Sequence, residues 1–146
     1  MKKHRIFVFC IVFAVIAGIL SSTAFAISNP IQRSSPTLMG YGAKLSQGSV
    51  PGSGKIIITY DVMANGRAES LGVSSIEIYK SDNSYVTTIT GNTMNGLIAS
   101  RDITHRSSYI YTGVSGTYYY AILTVFATIN GVTDSRTITT STVQAP

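Results

Sequence analysis

Residues 117–129 read Thr117-Tyr118-Tyr119-Tyr120-Ala121-Ile122-Leu123-Thr124-Val125-Phe126-Ala127-Thr128-Ile129, and Asn130-Gly131 follows at once. Aromatic and β-branched residues of this kind fit a pleated, packed surface. One face carries Tyr119, Ala121, Leu123, Val125 and Ala127, the other Tyr118, Tyr120, Ile122, Thr124 and Phe126. Both faces are largely apolar, so the stretch is expected to be a central strand covered on both sides. Asn-Gly is the strongest short hairpin signal, because both residues accept positive φ. The chain is expected to turn there and return as a threonine-rich strand, Thr133–Val143, at an edge or half-exposed position.

Short β-branched runs separated by turn residues recur upstream. Tyr41–Gln47 is a weak first strand, and Gly48–Gly54 a turn cluster. Lys55–Met63 has period 2, with Ile56, Ile58, Tyr60 and Val62 on one side. Ala64–Gly72 reads as a loop around Asn65-Gly66. Val73–Lys80 turns Ile76 and Ile78 inward and Ser75, Glu77 and Tyr79 outward. Tyr85–Thr90 is its hairpin partner. Gly91–Arg106 is the least regular part, with a marginal strand near Leu97–Ser100. Ser107–Thr112 is a strand and Gly113–Gly116 a tight turn. No helical period occurs after the N-terminal segment. Seven to eight strands of this kind predict an all-β, immunoglobulin-like or fibronectin-III-like antiparallel β-sandwich.

The N-terminus differs. Met1-Lys2-Lys3-His4-Arg5 precedes an apolar run from Ile6 to Leu20, then Ala24-Phe25-Ala26. A basic start, a short apolar stretch and a small-x-small site describe a cleavable signal peptide, here an expected helix over 1–26 cut after Ala26. The run falls short of the roughly 18 residues of a spanning helix. Residues 27–40, with Pro30 and Pro36, read as a flexible leader, and 41–146 as the domain. The C-terminus has no apolar tail and no Leu-Pro-x-Thr-Gly signal. The protein is expected to be secreted and extracellular, touching a membrane only transiently through its signal peptide.

Cleavage changes the arithmetic of the 146-residue chain, whose formal charge is +5. Lys2, Lys3 and Arg5 depart, which leaves +2. The lone cysteine, Cys10, departs as well, so no disulfide framework is available. Export without cysteine suggests a bacterial source. Charged residues are 12% and hydrophobic ones 45%, which argues against disorder. All nine tyrosines remain.

Gly54-Lys55-Ile56-x-Ile58, Leu71-Gly72-Val73-Ser74-Ser75-Ile76-x-Ile78-Tyr79, Tyr111-Thr112-Gly113-Val114-x-Gly116-Thr117-x-Tyr119-x-Ala121 and Asp134-Ser135-Arg136-Thr137-x-Thr139-Thr140 together define a pattern. Over roughly residues 38–145 it resembles the small secreted single-domain immunoglobulin-like proteins of gut and soil Firmicutes, a family of unknown function. The resemblance implies a compartment and a fold, and carries over no catalytic residues. Tyr119, in its Gly-Thr-x-Tyr context, is a candidate tyrosine corner, whose hydroxyl would bond backbone and pin the preceding turn. Core filler is the rival role for it.

Chemistry is sparse. His105 is the only histidine after the cut, so neither a metal site nor a cofactor is expected. Asp102-x-x-His105 is the least poor catalytic pair, and an exposed loop pair is the plainer reading. The nucleophile elbow Gly-x-Ser-x-Gly is absent. The carboxylates Asp61, Glu69, Glu77, Asp82, Asp102 and Asp134 show no pairing of the kind glycoside hydrolysis needs. Gly54-Lys55 lacks the Ser/Thr and the helix of a phosphate loop. The eight basic residues of the mature chain stand singly, so nucleic acid is not an expected partner.

The tyrosines rise above this background. Tyr79, Tyr85, Tyr109 and Tyr118 are candidate outward positions, and tyrosine offers rigid amphipathic contact area. The plainer reading makes them substitutes for the missing tryptophan in and around the core. The leading expectation is a secreted non-catalytic module that binds an unidentified protein or glycan of the cell envelope or environment. It would be a monomer or a weak edge-strand dimer through Thr133–Val143. The alternatives are a secreted hydrolase inhibitor, using Ala64–Gly72 or Gly91–Arg106 as a projecting loop, and, less favoured, a small hydrolase.

Overall fold

A computed structural model describes residues 37–146. The expected signal peptide with its helix, and residues 27–36 of the expected leader, lie outside the described residues. Seven strands follow in order: β1 (Leu38–Gln47), β2 (Lys55–Lys80), β3 (Tyr85–Thr90), β4 (Ile98–Thr112), β5 (Tyr118–Ile129), β6 (Val132–Thr139) and β7 (Val143–Gln144). All pair antiparallel in one strongly curled sheet. The path runs β1-β2-β5-β6, with β3 and β4 also on β2 and β7 on β5.

The curl originates in β2. At 26 residues it is far longer than an ordinary strand of about 5–6. Its first part, Lys55–Met63, lies between β1 and β4, and its last part, Ser75–Tyr79, between β3 and β5. Register breaks at Met63/Ala68 against β4 and at Val73/Ser75 against β5. Bulges of this kind bend a strand and increase its twist. The buried positions record the same breaks: Ile56, Ile58, Tyr60, Val62, Ala64 and Ala68, then Leu71 and Val73, then Ile76 and Ile78. Two phase changes keep the apolar side turned into one core, shared with Tyr119, Ala121, Leu123, Val125 and Ala127 of β5. Gly72 sits at the bend with φ 143°, and a Cβ there would lie 2.1 Å from the Leu97 carbonyl oxygen. Only glycine fits that approach.

Several expectations need correction. The loop around Asn65-Gly66 does not exist, because β2 runs through it. A hairpin there needs positive φ at both residues, and neither has it. By contrast, Asn130 (φ 51°) and Gly131 (φ 73°) make the expected two-residue turn, closed by the pair Ile129 and Val132. Leu38, Met39 and Gly40, expected in the leader, belong to β1. Thr37 and Leu38 are buried, and the Thr37 hydroxyl donates to the Ala127 carbonyl (3.1 Å). The irregular segment Gly91–Arg106 contributes everything from Ile98 on to β4, an unbroken strand of 15 residues.

β5 is central, between β2 and β6, but the described residues leave one face of it open. Tyr120, Ile122, Thr124 and Phe126 remain half-buried, and Tyr118 is exposed. No described helix lies over them. The last strand is also divided. β6 ends at Thr139, Thr140 is buried, and β7 returns to pair with Tyr118 and Tyr119. The Thr140 hydroxyl accepts from the Ala121 amide (3.0 Å), which fixes the crossing.

Candidate functional site

The outer face of the β3–β2–β5 region holds an aromatic row. Register sets Tyr79 opposite Tyr85 on one side and Tyr120 on the other. The Tyr79 and Tyr120 rings stack, with centroids 5.3 Å apart and planes inclined by 12°. Tyr85 meets Tyr79 edge-on at 5.7 Å. Offset-stacked and edge-to-face contacts are the two favoured aromatic geometries. Each hydroxyl is anchored. Tyr79 donates to Glu77 Oε2 (2.8 Å), Tyr120 donates to Asn83 Oδ1 (2.9 Å), and Tyr85 shares a bond with Thr88 Oγ1 (3.0 Å). The bond to the Glu77 carboxylate is the chief reason the Tyr79 phenol titrates above its ordinary range. These contacts hold the rings rigid, so a ligand costs little side-chain entropy.

Two of the four candidate tyrosines, Tyr79 and Tyr85, thus stand side by side. Tyr118, half-exposed, lies on the same face of β5, two residues before Tyr120. Tyr109 does not belong with them. It is opposite Ile58 and packs against the core, while its neighbour Ile110 is the exposed residue. Tyr120 was missed as a site residue. Alternation along β5 already put it with Tyr118, but only the pairing with β2 puts it against Tyr79.

Tyr119 points the opposite way and is fully buried. Its hydroxyl accepts a hydrogen bond from the Val114 amide (2.9 Å). Tyr111 meets the ring edge-on at 5.8 Å. Gly113 lies beneath it, where a Cβ would come within 2.7 Å of the ring.

Asp102 and His105 do not form a pair. Asp102 is exposed and accepts from the amides of Ile103 (2.7 Å) and Thr104 (3.4 Å). His105 is half-buried, with Nε2 at 2.8 Å from the Gly96 carbonyl and 3.3 Å from the Tyr60 hydroxyl. Tyr60 itself donates to Gly96 (2.7 Å), and burial pushes its phenol up. The three groups pin the Gly91–Leu97 segment to the core. The other carboxylates are engaged separately: Asp61 by Arg106, Glu69 by the Gly131 amide, Asp82 by Ser84 and Asp134 by Arg136. The bonds from Ser84 lower the pKa of Asp82. Among the described residues no three His, Cys, Asp or Glu gather as a metal site requires.

A second feature lies on the outer face of β1, β2 and β4. Gly42 and Arg106 flank Asp61 in register. Without a side chain at Gly42, an open depression of about 230 Å³ forms, lined in part by Lys44, Thr59, Asp61 and Arg106. Arg106 donates to Asp61 Oδ2 through Nη2 (2.5 Å) and Nε (3.2 Å), while Asp61 Oδ1 has no hydrogen-bond partner among the described residues.

No protein-family model matches the chain, and no curated protein matches it. Among solved structures it is similar to part of a family 76 glycoside hydrolase from a bovine Bacteroides thetaiotaomicron strain, with a TM-score of 0.41 and 14% identity. The alignment covers 74% of this chain and 20% of that one, so the chain spans about a fifth of its length.

Proposed function

We propose that this chain is a secreted, non-catalytic immunoglobulin-like module that binds a cell-envelope or extracellular partner through its tyrosine face. The observation that carries the reading is the row Tyr85–Tyr79–Tyr120, three adjacent rings held in place on a sheet face that the described residues leave open. Rigid tyrosines are characteristic anchors of binding surfaces. The finer fold reading is a sandwich of the fibronectin-III kind. Its support is the division of β2 between two sets of partners, β1 with β4 and β3 with β5. The Tyr119–Val114 bond across the turn before β5 supports a tyrosine corner in that fold. The hydrolase reading loses its candidate pair, since His105 and Asp102 bond elsewhere. The inhibitor reading loses one of its loops, since Ala64–Gly72 is strand.

The test is retention of the purified protein on cell-wall material and on a glycan array, against a Tyr85→Ser/Tyr120→Ser variant with an unchanged melting curve. Loss of retention in the variant is the expected result. Equal retention of variant and wild type overturns the reading.

A further inference from the structure

The inference rests on the reading of the tyrosine face as a binding surface, and names its ligand class. The face extends beyond the aromatic row. One rung away, Thr88, Glu77, Ile122 and Thr139 lie abreast on β3, β2, β5 and β6. The next rung is Thr90, Ser75, Thr124 and Thr137, four hydroxyl residues across four strands. Farther along, Phe126 faces Ser135, and Thr128 and Thr133 share a hydrogen bond (2.8 Å). Neighbouring strands lie about 4.8 Å apart, so each rung sets its side chains at a regular interval beside the rings.

The charge of this face is as informative as its hydroxyls. In these rungs and the aromatic row, Glu77 is the single charged side chain, and its carboxylate accepts from Tyr79. No lysine or arginine stands among them. Acidic polymers are recognised by basic clusters, commonly arginine forks, and such a cluster is missing. The outer face of β1, β2 and β4 differs, carrying Lys44, Asp61 and Arg106. Protein partners are met at hot spots rich in Trp, Tyr and Arg, where Ser and Thr are under-represented. Aromatic rings bordered by rows of neutral hydroxyls match a different chemistry. A pyranose has an apolar C–H face that packs on a ring, and a rim of hydroxyls that donate and accept. Threonine and serine hydroxyls also do both.

We infer that the outer face of β3, β2, β5 and β6 binds an uncharged polysaccharide chain, with sugar C–H faces packing against the tyrosine row, Tyr85 the most exposed of its rings, and the threonine rungs bonding their hydroxyls. Binding of this kind is insensitive to salt, because no ion pair contributes to it.

Affinity gel electrophoresis of the purified protein tests this. The probes are three neutral polysaccharides, a mixed-linkage β-glucan, a xylan and a mannan, with polygalacturonate as the acidic control. The expected result is retardation by at least one neutral polymer, unchanged at about 0.5 M salt. Tyr120→Ala abolishes it, and Thr124→Val/Thr137→Val weakens it severalfold while preserving the β-branched shape of both side chains. Circular dichroism confirms that the variants fold. Retardation by none of the neutral polymers overturns the inference, as does retardation by polygalacturonate alone that salt removes. If a protein from cell-wall extract binds in a Tyr120-dependent manner and no glycan does, the inference falls and the binding-face reading stands. If Tyr120→Ala binds every partner as wild type does, both fall.

Discussion

The Tyr119 hydroxyl accepts the amide hydrogen of Val114, five residues earlier, at 2.9 Å. The bond ties the start of β5 to the loop that precedes it. The ring below is fully buried, so its packing survives removal of the hydroxyl alone. Tyr119→Phe is therefore expected to lower stability by about 1 kcal/mol with the fold intact. A denaturant melt measures it, and an unchanged midpoint removes the tie.

Two of the three Asn-Gly dipeptides, Asn65-Gly66 and Asn130-Gly131, offer a paired test. Gly131 holds φ 73° with open space where a Cβ would stand, so Gly131→Ala meets only backbone strain. That strain is worth about 1–2 kcal/mol. Gly66 lies inside β2 without positive φ, and its nearest atom is Ile129 Cδ1 at 3.8 Å. Gly66→Ala is expected to change stability by no more than about 0.5 kcal/mol. Thermal melts of the two variants compare them directly, and equal losses would contradict the assigned backbone geometry.

Alkaline stability follows from Tyr60. Burial holds its phenol above the ordinary range, which lies near pH 10. In the unfolded chain the phenol ionises first, so between the two values the unfolded state holds fewer protons. Stability is full below about pH 10 and is lost as pH rises toward the folded value. Tyr60→Phe should flatten this fall, although it also releases the bond to Gly96 and so lowers stability at neutral pH. Melts at a series of pH values separate the slope from the offset. An equal slope in both proteins would exclude Tyr60 as the source.

β6 is an edge strand whose exposed threonines invite pairing with another chain. Yet Asp134 and Arg136 project from its core-facing side and bond each other at 2.6 Å. Inward charges are a device that discourages edge-to-edge association. Asp134→Val/Arg136→Val is expected to shift the protein toward dimers or larger species in size-exclusion chromatography. A variant that elutes at the wild-type volume contradicts that role.

Period-2 alternation made much of the domain legible. It put Tyr119, Ala121, Leu123, Val125 and Ala127 on one face, and all five are buried. Asn130-Gly131 was readable because its flanks pair with each other. Asn65-Gly66 was not, because its flanks pair with β1 and β4, and the dipeptide alone does not reveal that. Tyr109 misled for a related reason. Tyr109, Ile110 and Tyr111 are all apolar, so hydropathy does not fix which of them turns inward. The candidate site was half legible. The outward direction of Tyr79 and Tyr85 follows from local pattern, but their union with Tyr120 depends on the register between β2 and β5.

The unbroken course of β2 bears on how the domain comes apart. A single strand borders β1 and β4 with one stretch and β3 and β5 with another, so loosening either stretch strains the other through continuous backbone. The described residues thus lack an internal seam, and opening is expected as one cooperative event rather than half by half. Amide exchange would then report nearly the same protection at Ile58 and Ile78, near opposite ends of that strand. Two of its four partners, β4 and β5, also lie well removed from it in sequence, which makes the closing search long and folding slow relative to a helical chain of similar size.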